Sequence, residues 1–219
     1  MKIGIMQPYA FPYIGYYQLV FAVDKFVFLD DVNYIKRGWI NRNNIQVNGS
    51  PSLFTIPVEN ASLSRKISEH RVASTYDVWR RNFYKTLEYS YKHAQFYREI
   101  VDVVHRTLDD KENLSHLCIE SVLNVCDYME VKRDVMLSST LDVNTKREQR
   151  ILDICKKLNG NTYINPIGGQ TLYEKGFFES NDIELNFLQT NYMSNLSIID
   201  VLMHHGKSSR NFLQEFSLV

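Results

Sequence analysis

The sequence predicts an α/β protein, a doubly wound, mostly parallel sheet that carries a helical insertion. Three observations predict it. Short apolar runs at Lys2–Met6, Lys25–Leu29, Val135–Ser138, Thr162–Asn165 and Ile183–Leu188 have the length of buried strands. Stretches with helical spacing separate most of them, and such alternation implies parallel strands joined by right-handed crossovers. The interval 75–129 keeps helical spacing without a strand signal. Residues 1–74 and 130–219 are therefore expected to form a Rossmann-like α/β domain, with 75–129 inserted as helices.

Each element has its own justification. Lys2–Met6 (KIGIM) is apolar until Gln7-Pro8 breaks it. Pro8 and Pro12 bracket a loop, and a helix starts after Pro12, where proline is tolerated, and runs from Tyr13 to Val23. Lys25–Leu29 is a second strand that stops at Asp30-Asp31. Residues 32–43 follow no period and mix polar, aromatic and basic side chains, as a long functional loop does. Asn48-Gly49 between Ile45–Val47 and Leu53–Val58 predicts a hairpin. In the insertion, Val78, Phe83, Leu87 and Tyr91 mark one helix, and Phe96, Ile100, Val103, Val104 and Leu108 a second. Asn113 opens a third, through Leu117, Val122 and Val125. After the strand at Val135, a helix over Thr145–Leu158 closes at Asn159-Gly160. The strand at Thr162 ends in Pro166, and Gly168-Gly169 leads into a helix over Thr171–Ser180. Ile183–Leu188 is the last strand, and Ser197–His204 and Ser209–Phe216 read as closing helices.

Composition removes several function classes. Twenty-five basic and twenty-five acidic residues leave no net charge, which excludes a chain that coats nucleic acid. Three cysteines, none in a Cys-x-x-Cys or Cys-His cluster, suit neither a disulfide scaffold nor a metal centre. The start carries no secretory signal pattern, and no apolar run approaches the roughly 20 residues of a membrane span. A cytoplasmic protein is expected. Of its 14 tyrosines and 12 phenylalanines many lie near the start of the chain, where a core alone does not need hydroxyls.

In an open parallel sheet the ligand sits beyond the carboxyl ends of the strands. That selects the loops Gln7–Tyr16, Asp30–Asn43, Ser138–Thr145 and Asn165–Thr171. In the first, Gln7, Tyr9, Tyr13 and Tyr16 surround Gly15 at a helix head. Tyr13-Ile14-Gly15-Tyr16 resembles the HIGH signature of nucleotidylyltransferases, with both histidines replaced by tyrosine. That resemblance implies a phosphate site with catalytic Tyr13 and Tyr16, although a phenol brings no charge near neutral pH. The second loop offers Asp30 and Asp31 as general base or Mg2+ ligand, and Lys36, Arg37 and Arg42 as a pyrophosphate clamp. Tyr34 and Trp39 give flat faces for a base or sugar, and Asn33 and Asn41 add hydrogen-bonding groups. Farther on, His204 or His205 can act as a base, and Ser208 and Ser209 can meet a phosphate. His70, His93, His105 and His116 are scattered and read as surface or satisfied core residues.

The segments KIGIMQPYAFPYIGYYQL and VDKFVFLDDVNYIKRGWINRN strongly resemble the WbqC-like family. FTIPV, KREQRILDICKKL, TYINPIGGQTLYEKGFF and NLSIIDVLMHHG extend the resemblance along the chain. It implies a bacterial cytoplasmic protein of surface-polysaccharide (O-antigen) biosynthesis. The implied activity is attachment of an acyl or aminoacyl group to the amine of a nucleotide-linked sugar. That reaction needs a proton acceptor, for which Asp30, Asp31, His204 and His205 are the candidates. It also needs a donor to the oxyanion, with Tyr13, Tyr16 or Lys36 as candidates. The activated partner is either an acyl thioester or ATP with Mg2+. Two other readings stand beside it: a nucleotidylyl or adenylyl transferase with a degenerate HIGH motif, and a non-catalytic binding protein of a polysaccharide assembly.

Overall fold

Ile3, Gly4 and Ile5 are buried, and a strand buried on both faces belongs at the centre of a parallel sheet. The computed structural model, which describes Met1–Val219, puts it there. In chain order the elements are β1 (Lys2–Met6), α1 (Ile14–Ala22), β2 (Lys25–Phe28), β3 (Arg42–Val47), β4 (Ser50–Thr55), α2 (Tyr76–Tyr91), α3 (Tyr97–Leu108) and α4 (Leu114–Tyr128). There follow β5 (Asp134–Leu137), α5 (Arg147–Lys157), β6 (Thr162–Pro166), α6 (Lys175–Glu179), β7 (Glu184–Thr190), α7 (Ile198–His205) and β8 (Phe216–Leu218).

Six strands form one sheet in the order β5-β2-β1-β6-β7-β8, all parallel except β8. The chain builds outward from β1 through β2 to β5, then returns to the other side of β1 with β6. The winding therefore reverses between β1 and β6, and the crevice of an open α/β sheet opens beyond their carboxyl ends. The sheet divides the interior in two. Phe26, Phe28 and Ile164 face a cluster of 41 buried residues that includes α1, α7 and the helices α2 to α4. Ile3, Ile5, Val27 and Tyr163 face a smaller cluster of 13, closed by α5 and Phe178 of α6. The interval 76–128 thus adds its apolar faces to the core on one side of the sheet.

The Asn48-Gly49 signal gives β3–β4, with Val47 opposite Ser50 and positive φ at both turn residues (51° and 75°). The hairpin stands apart from the main sheet as a two-stranded ribbon. Asn159 ends α5 in the left-handed region, and Gly160 N–H donates back to the Cys155 carbonyl.

Two expected helices are corrected. The helix over Thr171–Ser180 is only Lys175–Glu179, because Gly168-Gly169 opens a 3-10 turn and Thr171 and Leu172 continue as turn. Ser209–Phe216 is not an α-helix. Gly206–Gln214 winds as 3-10, and Phe216–Leu218 then pairs antiparallel with β7 as an edge strand. Gln18 of α1 explains the docking of this segment: its buried amide donates to the carbonyls of Phe212 (2.9 Å) and Glu215 (3.0 Å). No helix is long and apolar enough to cross a membrane.

Candidate functional site

The loop that leaves β1 is fixed from three directions. Phe11 has φ of 44°, a left-handed conformation that a bulky residue adopts only when its surroundings enforce it. They do. Ser121 of α4 accepts from Phe11 N–H (2.9 Å) and donates to the Tyr9 carbonyl (3.1 Å). The Phe11 carbonyl accepts from the Asn43 amide (2.9 Å) and the Ser197 hydroxyl (2.7 Å). Ala10 N–H donates to the Ile40 carbonyl, which joins this loop to the one after β2. At the head of α1, the Tyr13 ring folds back over Gly15. A Cβ there would stand 2.4 Å from the ring, so the glycine is what lets Tyr13 lie in this position.

The second loop has its own scaffold. Tyr34 is buried, donates to Asn41 Oδ1 (2.8 Å) and stacks on His70 at 4.6 Å. The Asn41 amide donates to the Ile56 carbonyl (2.7 Å). His70 is fully buried, with Nδ1 on the Lys66 carbonyl and Nε2 accepting from Ser62 N–H. Arg42 closes the tip by donating to the carbonyls of Gly38 and Arg37, with its guanidinium over the Trp39 ring. Trp39 is left 51% exposed.

Together the loops frame a pocket of about 260 Å3, lined by Tyr9, Pro12, Tyr13, Trp39, Asn43, Asn44 and Asn195. No lining side chain is charged. Burial pushes the Tyr9 phenol up to about 12, with the neighbouring Tyr13 as the second cause, and raises Tyr13 as well. Both are neutral hydrogen-bond donors at physiological pH.

The residues singled out from the sequence separate into groups. Tyr9, Tyr13 and Trp39 line the pocket. Lys36 and Arg37 are exposed on the Trp39 loop, and Asn33 is exposed at a backbone bridge to Lys66. Tyr34, Asn41 and Arg42 spend their polar atoms on the scaffold just described. Tyr16 is fully buried and donates to the Gln7 carbonyl (2.8 Å), so its phenol packs beneath the loop instead of facing a phosphate. Asp30 is 4% exposed and accepts from Ser138 Oγ (3.1 Å), Ser139 N–H (3.0 Å) and Ser139 Oγ (2.8 Å). Asp31 is paired with Arg150 at 2.6 Å and also accepts from Ser138. Both carboxylates are committed where β2 meets β5, and neither lines the pocket.

His204 and His205 stand apart. The first turn of α7 meets the pocket, because Ser197 N–H donates to the Asn44 carbonyl. The histidines end that eight-residue helix, roughly 12 Å away along its axis. Ser208 follows on the surface, and the Ser209 hydroxyl is buried without a partner.

Sequence reasoning missed Asn43, Asn44 and Asn195 as lining residues. The run Asn41-Arg42-Asn43-Asn44 and the polar stretch Asn191–Asn195 after β7 were the available signals. A larger cavity, about 420 Å3, lies between α1 and α4 over β2 and β5. Its walls are mainly apolar, with Asp127, Glu130, Lys132 and Arg133 at the rim, where Glu130 is held by Lys207 and Arg133 by the Phe21 carbonyl. No three of the His, Cys, Asp and Glu side chains gather as a metal centre requires.

An uncharacterized protein of Mycobacterium tuberculosis, Rv1507c, is 24% identical over 227 aligned positions that span 97% of each chain. No solved structure matches the chain. The profile of the WbqC-like protein family matches residues 7–212, from the first residue of the crevice loop to the carboxyl-terminal segment docked by Gln18. The chain belongs to the WbqC-like protein family.

Proposed function

We propose that this chain binds a nucleotide-linked sugar over the pocket framed by the segments that follow β1, β2 and β7 and forms an amide on the sugar's amino group. The observation that carries the proposal is the pocket itself: aromatic walls and neutral amides among segments that follow parallel strands of the sheet. Sugars need flat apolar faces and neutral hydrogen-bonding groups, and diphosphates need cations outside such a pocket. Lys36 and Arg37, exposed on the Trp39 loop, supply the cations. The reaction joins the free amine to the carbonyl of an activated acyl or aminoacyl group, and the thiol or adenylate leaves. Tyr9 and Tyr13, kept protonated, are suited to donate to the oxyanion of the tetrahedral intermediate. With Asp30, Asp31, His204 and His205 outside the pocket lining, the amine's proton passes to the leaving group or to solvent.

Calorimetric titration with uridine and thymidine diphosphate amino sugars tests the binding. Trp39→Ala is expected to weaken it by about tenfold or more, the loss of one aromatic stacking face. Incubation with an acyl thioester, or with ATP and a carboxylate, followed by mass spectrometry, tests the reaction. Absence of binding across that panel would sink the proposal, and binding without any acylated product would leave a binding protein.

A second reading, nucleotidylyl or adenylyl transfer on a HIGH-like fold, is favoured by one observation. The head of α1 faces the crevice without a side-chain cap, leaving first-turn N–H groups for a phosphate. The burial of Tyr16 weighs against it. Pyrophosphate release from ATP separates the two.

A further inference from the structure

We infer that the pocket takes the sugar half of this ligand, an uncharged pyranose ring, and that the diphosphate and the base lie outside it; the inference rests on the reading just given.

Size is the first reason. At about 260 Å3 the pocket is smaller than the 300–1,000 Å3 or so of sites that enclose a drug-sized molecule, so it accommodates one ring and not a whole sugar nucleotide. Charge is the second. A diphosphate in this lining would lose its water and meet no cation, at a cost that a neutral ring does not incur.

The third reason is which polar groups are already spent. Asn43 gives its amide to the Phe11 carbonyl and takes Asn44 N–H on Oδ1. The side-chain amides of Asn44 and Asn195 and the hydroxyls of Tyr9 and Tyr13 make no hydrogen bond within the chain. Asn195 is exposed and Asn44, Tyr9 and Tyr13 are half-buried, so these four uncommitted groups are open to water around one small cavity and free to exchange it for a ligand's polar groups. Two phenols and two amides offer both roles without charge, which is what ring hydroxyls or a ring amine require. The set is held in place. Asn44 sits in β3, where its carbonyl accepts Ser197 N–H. Asn195 lies two residues before Ser197, whose hydroxyl is fixed on Phe11. Tyr9 rests against the Tyr16 ring at 5.7 Å. Asn44 and Asn195 are therefore the residues that read the sugar.

The test compares each diphospho amino sugar with the bare nucleoside diphosphate by calorimetry. Asn44→Ala, Asn195→Ala and the milder Tyr9→Phe, each checked by thermal melting, are expected to weaken the sugar nucleotide by about tenfold. They should leave the bare diphosphate within about twofold of the parent value. Arg37→Ala should weaken both ligands equally. If the asparagine and tyrosine variants weaken the bare diphosphate as much as the sugar nucleotide, the pocket holds the nucleotide half. The inference is then overturned and the broader reading survives. If the parent protein binds no member of the panel, the broader reading fails and takes this one with it.

Discussion

At the scale of single residues, the site depends on side chains whose work is local and checkable. Gly15 is one. A methyl group there overlaps the far end of the Tyr13 ring, so Gly15→Ala should turn that ring aside and weaken ligand binding at little cost in stability, because the half-buried ring is free to move. Urea unfolding reads the second effect and ligand titration the first. Asp31 is another. With side-chain exposure of 13%, and 14% for Arg150, this pair is largely desolvated. Arg150→Ala strands the carboxylate and should cost roughly 3–5 kcal/mol, whereas replacing both partners with apolar residues of similar size should recover much of that loss. If the single and double variants melt alike, the pair is not what ties the end of β2 to α5. The sequence displayed these residues but not their roles. Tyr13 and Tyr16 flank the same glycine and look equivalent in the sequence. One lines the pocket and the other is fully buried, because Tyr13 is the extended residue before α1 and its ring folds over Gly15, whereas Tyr16 lies within the helix and packs on Phe26 of β2.

At the scale of elements, the segments that bear function are those that follow no period, and they are ordered by partners far away in sequence. Ser121, on α4, anchors a loop more than a hundred residues earlier. Ser121→Ala leaves Phe11 N–H unsatisfied and should cost about 1–3 kcal/mol. It should also raise amide exchange through residues 9–11 while α4 stays protected, since the strained Phe11 conformation loses its support. Unchanged exchange there would mean that Asn43 and Ser197 suffice. The five parallel strands, the hairpin turn and the three helices of 76–128 were legible, because period and turn chemistry are local properties. The misread elements were those without such signals. Ser209–Phe216 has apolar residues at helical intervals, but it is bound by Gln18 and by pairing with β7, and neither partner is visible in the local pattern.

At the scale of the whole molecule, burial sets the response to pH and to reagents. Cys118, Cys126 and Cys155 are buried, and desolvation raises the thiols of Cys126 and Cys155 to about 12, with Cys118 also raised. At pH 8 a thiol-specific disulfide reagent should modify none of the three in the native protein and all three in denaturant; rapid modification of any one would contradict its placement. The same desolvation raises Tyr9 from 10.0 to about 12, and raises Tyr16, Tyr17 and Tyr163 further. Folded values above unfolded ones mean that the unfolded chain releases these protons first. Stability should therefore be full below pH 10 and fall as pH rises from 10 towards 12, a trend that melting curves across that interval would show. The sequence by itself determined the α/β class, the five parallel strands, the family and the two loops that hold Tyr9, Tyr13 and Trp39, because periodicity, breakers and motif spacing are written along the chain. Only the tertiary structure decided which of their side chains face a shared cavity. It enclosed Tyr16, Asp30 and Tyr34, set His204 and His205 at the far end of α7, and brought Asn44 and Asn195 to the pocket from segments far apart in the chain. The physical reason is that exposure and hydrogen-bond partnership arise from contacts between distant segments, and those contacts exist only once the sheet has assembled.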